Sequence, residues 1–119
     1  MEADLINNPK HYSQAGDWIE PIDVIHNGPF DLCNVIKYLA RAGHKDDELQ
    51  DVRKAKYYVL KAVESYFQDQ HPYDYWFKRN ALLIRKIGPF RNFNRYNVYE
   101  LILYSKNIID NKLKKLGDK

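Results

Sequence analysis

The chain has 119 residues, of which 45% are hydrophobic and 29% are charged. This length accommodates one compact domain, and the composition is that of a globular protein rather than of a disordered one. No uncharged apolar run approaches the roughly 20 residues that a membrane-spanning helix needs. The first residues include two acids, which is atypical of a signal peptide. The chain has a single cysteine, Cys33, which excludes an internal disulfide and a cysteine-based metal site. We therefore expect a protein of a reducing cytoplasm.

The net charge of +3 is distributed unevenly along the chain. Residues 1–69 contain 8 Lys/Arg and 12 Asp/Glu, a net charge of −4, whereas residues 70–119 contain 11 Lys/Arg and 4 Asp/Glu, a net charge of +7. A basic segment can bind phosphate-bearing ligands, or it can dock on an acidic segment within a subunit or between subunits. The sequence alone leaves both interpretations open.

The first part of the chain is predicted to be an irregular arm followed by a helix. Residues 1–29 contain three prolines and two glycines, which favour a loop, although residues 18–25 could form a short helix. A first amphipathic helix is predicted from Asp31, with Gly43 as a suitable residue just after its end. Four apolar residues give this helix the spacing i, i+3, i+4 and i+7: Leu32, Val35, Ile36 and Leu39.

A second helix is predicted from Asp47, which can cap it together with Gln50, to about Gln68. Its apolar stripe ends at either Tyr66 or Phe67. The short link between the two helices, residues 43–46, suits an antiparallel helical hairpin.

Two more helices are predicted in the basic part of the chain, over residues 75–87 and 98–116. The first of them ends at Gly88-Pro89. The predicted fold class is all-α, with a helical hairpin, two C-terminal helices and an irregular N-terminal arm. We interpret residues 1–69 and the basic extension, residues 70–119, as parts of the same compact domain.

A polar stripe runs beside the apolar residues of the first helix. It contains an amide, two cations and a phenol: Asn34, Lys37, Tyr38 and Arg41. The amide can read a base edge or a ribose hydroxyl, the cations can bind phosphate oxygens, and the phenol can stack. The alternative is an ordinary solvated helix face.

An acidic face is predicted at the start of the second helix. Asp47, Asp51, Lys54 and Tyr58 share this face, and Glu48 is adjacent. Carboxylates in this arrangement can bind Mg²⁺, which commonly uses one or two of them together with substrate phosphates. The alternative is an acidic first turn that the helix dipole favours.

A loop between the last two helices interleaves aromatic residues with arginines over residues 88–96. This composition is used to stack bases and to bind phosphates. The alternative is a loop whose rings pack under the last helix while its arginines face water. Nucleic acid is not expected as a partner, because the net charge of the whole chain is only +3 and no known nucleic-acid-binding motif occurs.

Several segments occur in an order that resembles a known family. They are Asn8-Pro9-Lys10-His11-Tyr12, residues 19–25, residues 34–45 and residues 51–58. This order resembles small tailed-phage proteins of the nucleotide kinase-like family, one studied member of which is a nucleoside-monophosphate kinase without a P-loop. The resemblance covers about residues 8–66 and leaves the C-terminal extension uncovered.

The resemblance implies an enzyme that phosphorylates deoxynucleoside monophosphates with a nucleoside triphosphate and Mg²⁺, in the cytoplasm of an infected bacterial host. The nucleotide-binding residues that it implies are His11, Tyr12, Asn34, Lys37, Tyr38, Arg41, Lys45 and Lys54. The predicted catalytic residues are Lys37, Arg41 and Asp51. The predicted metal ligands are Asp51 and its neighbours on the acidic face of the second helix, Asp47 and Glu48.

Other functions fit the same residues. A non-catalytic protein could use this site to sequester a nucleotide signal of host immunity. An all-α pyrophosphatase-like hydrolase would also use helix-borne acids, although its full acidic motif is absent. A homo-oligomer with no membrane partner is expected, because a short chain of this type leaves apolar surface to cover.

Overall fold

The computed structural model describes residues 28–44 and 47–117. Over these ranges the chain forms four α-helices and one turn of 3-10 helix, with no β-strand. The helices are α1 (Phe30–Arg41), α2 (Glu48–Gln68), α3 (His71–Ile84) and α4 (Val98–Lys115), and the 3-10 helix (Gly88–Phe90) lies between α3 and α4. The predicted all-α fold is confirmed. In this part of the chain none of the helices is both long enough and apolar enough to cross a membrane.

The hairpin of α1 and α2 forms as predicted because the end of α1 and the start of α2, which the short link joins, are both capped. Gly43 follows α1 with a φ of 87°, in the left-handed region where glycine is favoured over other residues. The carboxylate of Asp47 accepts a hydrogen bond from the backbone N–H of Gln50 at 3.2 Å and so caps α2. At the opposite end of the pair, the hydroxyl of Ser65 donates to Asp31 Oδ2 at 3.3 Å. The start of α1 therefore contacts the end of α2, and the two helices are antiparallel.

The hydrophobic core contains residues from all four helices. The four predicted apolar residues of α1 are each at most 1% exposed. On α2 the core positions include Ala55 and Ala62, whose small side chains let the neighbouring helices approach closely. The sequence left Tyr66 and Phe67 as alternatives, and the structure buries Tyr66 while Phe67 is 62% exposed.

The bounds of α3 differ from the prediction. The helix begins at His71 rather than at residue 75, because Pro72 occupies its first turn, where no backbone N–H is needed. Asp69 Oδ1 also accepts from the His71 backbone N–H at 3.2 Å. The helix ends at Ile84, and Ile87 is instead buried in the turn that precedes the 3-10 helix. By contrast, α4 begins at residue 98 as predicted.

The chain enters α1 through a tightly packed junction. A Cβ atom on Gly28 would collide with the indole ring of Trp76 and with the sulfur of Cys33, so this position has no room for a side chain. Cys33 is 5% exposed, and burial raises the pKa of its thiol to about 12. The thiol therefore stays protonated near neutral pH, and Cys33 is a small buried residue as expected. The N-terminal arm, including the predicted short helix, lies outside the described residues.

Candidate functional site

A cluster of aromatic rings and lysines lies where α1 and α2 run side by side. Tyr38 of α1 stacks on Tyr58 of α2, with ring centroids 6.0 Å apart and ring planes within 7° of parallel. Lysines from both helices and two further rings contact this pair. We call the following residues the tyrosine–lysine cluster: Phe30, Lys37, Tyr38, Lys54, Tyr57, Tyr58 and Lys61.

Two lysines converge on the ring of Tyr38. The ammonium of Lys37 lies 5.1 Å from the ring centroid, and the ammonium of Lys54 lies 5.4 Å from it. Each ammonium is attracted by the π-electrons of the ring, whereas the two positive charges repel each other. An anion near the ring would be attracted by both positive charges. The arrangement therefore favours a negatively charged ligand beside an aromatic ring.

Two exposed rings form the outer edge of the tyrosine–lysine cluster. Phe30 is 70% exposed and Tyr57 is 57% exposed, and each packs edge-on against Tyr58, with centroids 5.8 and 5.2 Å away. The ammonium of Lys61 lies 5.7 Å from the Tyr57 centroid. Exposed rings with nearby cations can stack a flat ligand, such as a base, while the cations bind its phosphate.

The sequence spacing accounts for this arrangement. Lys54, Tyr57, Tyr58 and Lys61 repeat at i, i+3, i+4 and i+7, which places them on one face of α2. That face meets the polar stripe of α1. Sequence reasoning found Lys37, Tyr38 and Lys54, and it noted Tyr58. It missed Phe30, Tyr57 and Lys61, although the repeat on α2 was a signal that could have found the last two.

The remaining residues of the polar stripe have other contacts. The side-chain amide of Asn34 donates to the backbone oxygen of Phe30 at 3.0 Å, within its own helix. Arg41 Nε lies 3.5 Å from Asp51 Oδ2, and Asp51 is only 3% exposed. This ion pair joins the end of α1 to the start of α2. The structure therefore separates the stripe into Lys37 and Tyr38, which belong to the tyrosine–lysine cluster, and Asn34 and Arg41, which contact the protein itself.

The three carboxylates predicted to bind Mg²⁺ have three different partners. Asp47 caps α2, Asp51 pairs with Arg41, and Glu48 Oε2 lies 3.2 Å from the ammonium of Lys112 on α4. Over residues 28–44 and 47–117 no group of three His, Cys, Asp or Glu side chains is arranged to hold a metal ion. These carboxylates do not fit a shared metal site in this arrangement. Mg²⁺ binding by them stays a prediction.

The loop after α3 divides its aromatic residues between the core and the surface. Phe90 and Phe93 are at most 2% exposed, and both contact Tyr104 of α4, with ring centroids 6.1 and 5.2 Å away. The alternative in which rings pack beneath the last helix thus holds for these two residues. Tyr96, however, is 84% exposed.

Three of the predicted nucleotide-binding residues, His11, Tyr12 and Lys45, lie outside the described part of the chain.

Comparison with known proteins gives one family match. A family described as a protein of unknown function, DUF3310, matches residues 6–60, a little less than half of the chain. The matched range contains α1 and the part of α2 that carries Lys54, Tyr57 and Tyr58. No curated protein and no solved structure matches the chain. The chain is therefore similar to this family over the region that contains most of the tyrosine–lysine cluster.

Proposed function

We propose that the protein binds a nucleotide at the tyrosine–lysine cluster. The observation that supports this most directly is the convergence of two ammonium groups, one from each helix, on the ring of Tyr38. The ammonium groups of Lys37 and Lys54 provide donors for phosphate oxygens. The exposed ring of Tyr57, next to the Tyr38–Tyr58 stack, provides a surface for the base.

The activity we propose is phosphoryl transfer to a deoxynucleoside monophosphate, as the sequence resemblance implies. In this reaction an oxygen of the monophosphate attacks the γ-phosphorus of a nucleoside triphosphate, and the bond from that phosphorus to the β-phosphate oxygen breaks. The products are two nucleoside diphosphates. Catalysis of this kind consists mainly of positioning the phosphates and neutralising their charge, and lysine ammonium groups can contribute to both.

A non-catalytic nucleotide-binding protein is the second candidate. It is favoured by the engagement of Asp47, Glu48 and Asp51 with protein partners, because a site for the reaction would ordinarily recruit a carboxylate for a metal. Such a protein would sequester the nucleotide without changing it. The pyrophosphatase-like reaction needs several acids around a metal and receives less support from the same contacts.

Chromatographic analysis of reaction products distinguishes these functions. The purified protein is incubated with each deoxynucleoside monophosphate, with ATP and Mg²⁺ present or omitted. New diphosphates are expected for a kinase, released pyrophosphate for a hydrolase, and unchanged nucleotide recovered with the protein for a binding protein. If no nucleotide is bound or altered under any condition, the proposal is wrong.

Substitution of one lysine tests whether the tyrosine–lysine cluster is the binding site. We expect Lys54→Ala to weaken nucleotide binding about tenfold in isothermal titration calorimetry, because one charge-assisted contact to phosphate is lost. Lys56→Ala is the matched control, since Lys56 is an exposed lysine of the same helix with no place in the cluster. Equal affinities of the two variants would place the nucleotide elsewhere.

The predicted homo-oligomer is assessed on the same samples by light scattering.

A further inference from the structure

A second basic surface lies on α3 and on the loop that follows it. From Tyr75 to Tyr99 the sequence contains six Lys/Arg and no Asp/Glu. The six cations are Lys78, Arg79, Arg85, Lys86, Arg91 and Arg95. The charge of the whole chain, +3, conceals this local excess, which is large enough to attract a polyanion.

One end of this surface is an arginine beside an exposed tyrosine on α3. Tyr75 is 59% exposed, and the guanidinium of Arg79 lies 5.6 Å from its ring centroid. Arg79 Nη1 also donates to the Tyr75 hydroxyl at 3.3 Å. Leu82 follows Tyr75 at i+7 and continues the same exposed face of α3, and Lys86 is exposed in the turn that follows the helix.

A similar pair occupies the other end, where α3 gives way to the loop. The guanidinium of Arg85 lies 5.4 Å from the centroid of Tyr96, which is 84% exposed. Arg85 Nη2 donates to the backbone oxygen of Arg95 at 3.3 Å, which holds the guanidinium beside the ring. Along the helix, Tyr75 and Arg85 are separated by about 15 Å at 1.5 Å per residue. We call these residues the arginine–tyrosine face: Tyr75, Arg79, Arg85, Arg95 and Tyr96.

We propose that the arginine–tyrosine face binds single-stranded nucleic acid. Proteins that bind single strands combine a basic track for the phosphates with exposed aromatic rings on which bases stack, and this face has both. A duplex conceals the flat faces of its bases, so it would use the arginines and leave the tyrosines without a role. An acidic protein would likewise neutralise the cations without needing two exposed rings. This inference concerns different residues from the nucleotide-binding proposal, and either can fail without the other.

Fluorescence anisotropy with the full-length protein tests the proposal. The probe is a labelled oligothymidylate of about 20 nucleotides, which exceeds the usual site size and forms no duplex. We expect the parent protein to bind it, with affinity that falls as salt rises. Arg85→Ala and Tyr96→Ala are each expected to weaken binding about tenfold, whereas Tyr96→Phe retains the ring and is expected to bind like the parent.

Matched controls separate this surface from nonspecific attraction. Lys114→Ala removes one positive charge from the exposed last turn of α4 and is expected to change the affinity less than twofold. Circular dichroism melts of each variant verify that it is folded. The proposal is overturned if the parent does not bind the probe, or if folded Arg85→Ala and Tyr96→Ala proteins bind it as the parent does. Equal or tighter binding of a duplex, of polyglutamate, or of phosphatidylserine–phosphatidylcholine vesicles also overturns it.

Discussion

Two neighbouring parts of the α1–α2 hairpin use charged side chains in different ways. Near the link that joins the two helices, charges of opposite sign meet: Arg41 pairs with Asp51, and Glu48 pairs with Lys112. About one helical turn away, the ammonium groups of Lys37 and Lys54 contact an aromatic ring instead. Helical spacing placed members of both parts on the same faces. The identity of the partner, rather than the position on a helix, therefore distinguishes a charge that maintains the fold from one that can bind a ligand.

The energetic consequences of the two arrangements differ. A buried carboxylate depends on its cationic partner, because removal of that partner leaves a charge that water cannot reach. The contact between a lysine ammonium and a solvent-accessible ring contributes only about 0.5–1 kcal/mol to stability, and a ligand can replace that contact. The following substitutions test this contrast, beginning with the largest expected effect on stability.

We expect Arg41→Ala to lower the free energy of unfolding by about 3 kcal/mol, because it removes the cation that pairs with the buried carboxylate of Asp51. Lys37→Ala makes the same change of charge about one turn earlier and is expected to lower it by no more than about 0.5 kcal/mol. Urea denaturation followed by circular dichroism measures both. If the two variants are equally stable, the proposed division between the two parts of the hairpin is incorrect.

Asp51→Asn is expected to lower the free energy of unfolding by about 1–2 kcal/mol. The amide preserves the size of the side chain but loses the ionic attraction to Arg41 at a position that is almost fully buried. Calorimetric scans with and without Mg²⁺ measure stability and any dependence on the metal together. Unchanged stability combined with a loss of Mg²⁺ dependence would instead favour the metal-ligand role that the sequence predicted for Asp51.

The smallest effect is expected for Lys112→Ala. Its ion pair with Glu48 is partly exposed, with 29% and 36% of the two side chains accessible, so solvent screens the attraction. We expect a loss of about 0.5 kcal/mol or less at low ionic strength, and less still in high salt. Denaturation curves at two salt concentrations check this. A loss comparable to that of Arg41→Ala would show that both ion pairs stabilise the hairpin near the link between its helices.

The sequence predicted the hairpin well because its boundaries depend on local chemistry. The glycine after α1 and the aspartate before α2 act within a few residues of their own positions, and both signals are visible without knowledge of the fold. The start of α3 was misplaced because the predicted helix began after Pro72, at residue 75, although proline is well suited to a first turn. The choice between Tyr66 and Phe67 depended on tertiary packing, which spacing does not specify.

The candidate site was predicted in part for a related reason. Lys37 and Tyr38 were identified from one helix and Lys54 from the other, but the stacking of Tyr38 on Tyr58 depends on how the two helices pack. The contact between Arg41 and Asp51 likewise depends on packing, whereas the sequence predicted that these residues bind a phosphate and a metal. A periodic pattern identifies the residues that share a face. It does not identify which face of the neighbouring helix they meet.

The burial of Cys33 makes this residue a probe of helix opening that is already present in the protein. A thiol reagent needs both access and a thiolate, and the folded chain withholds both because the side chain is 5% exposed and its pKa is raised to about 12. An unfolded cysteine ionises near pH 8.5 and reacts readily. Since the chain has a single cysteine, each modified molecule records one opening of the helix that carries Lys37 and Tyr38. The rate of labelling at mildly alkaline pH, compared with and without nucleotide, therefore measures how strongly a ligand holds α1 against the core.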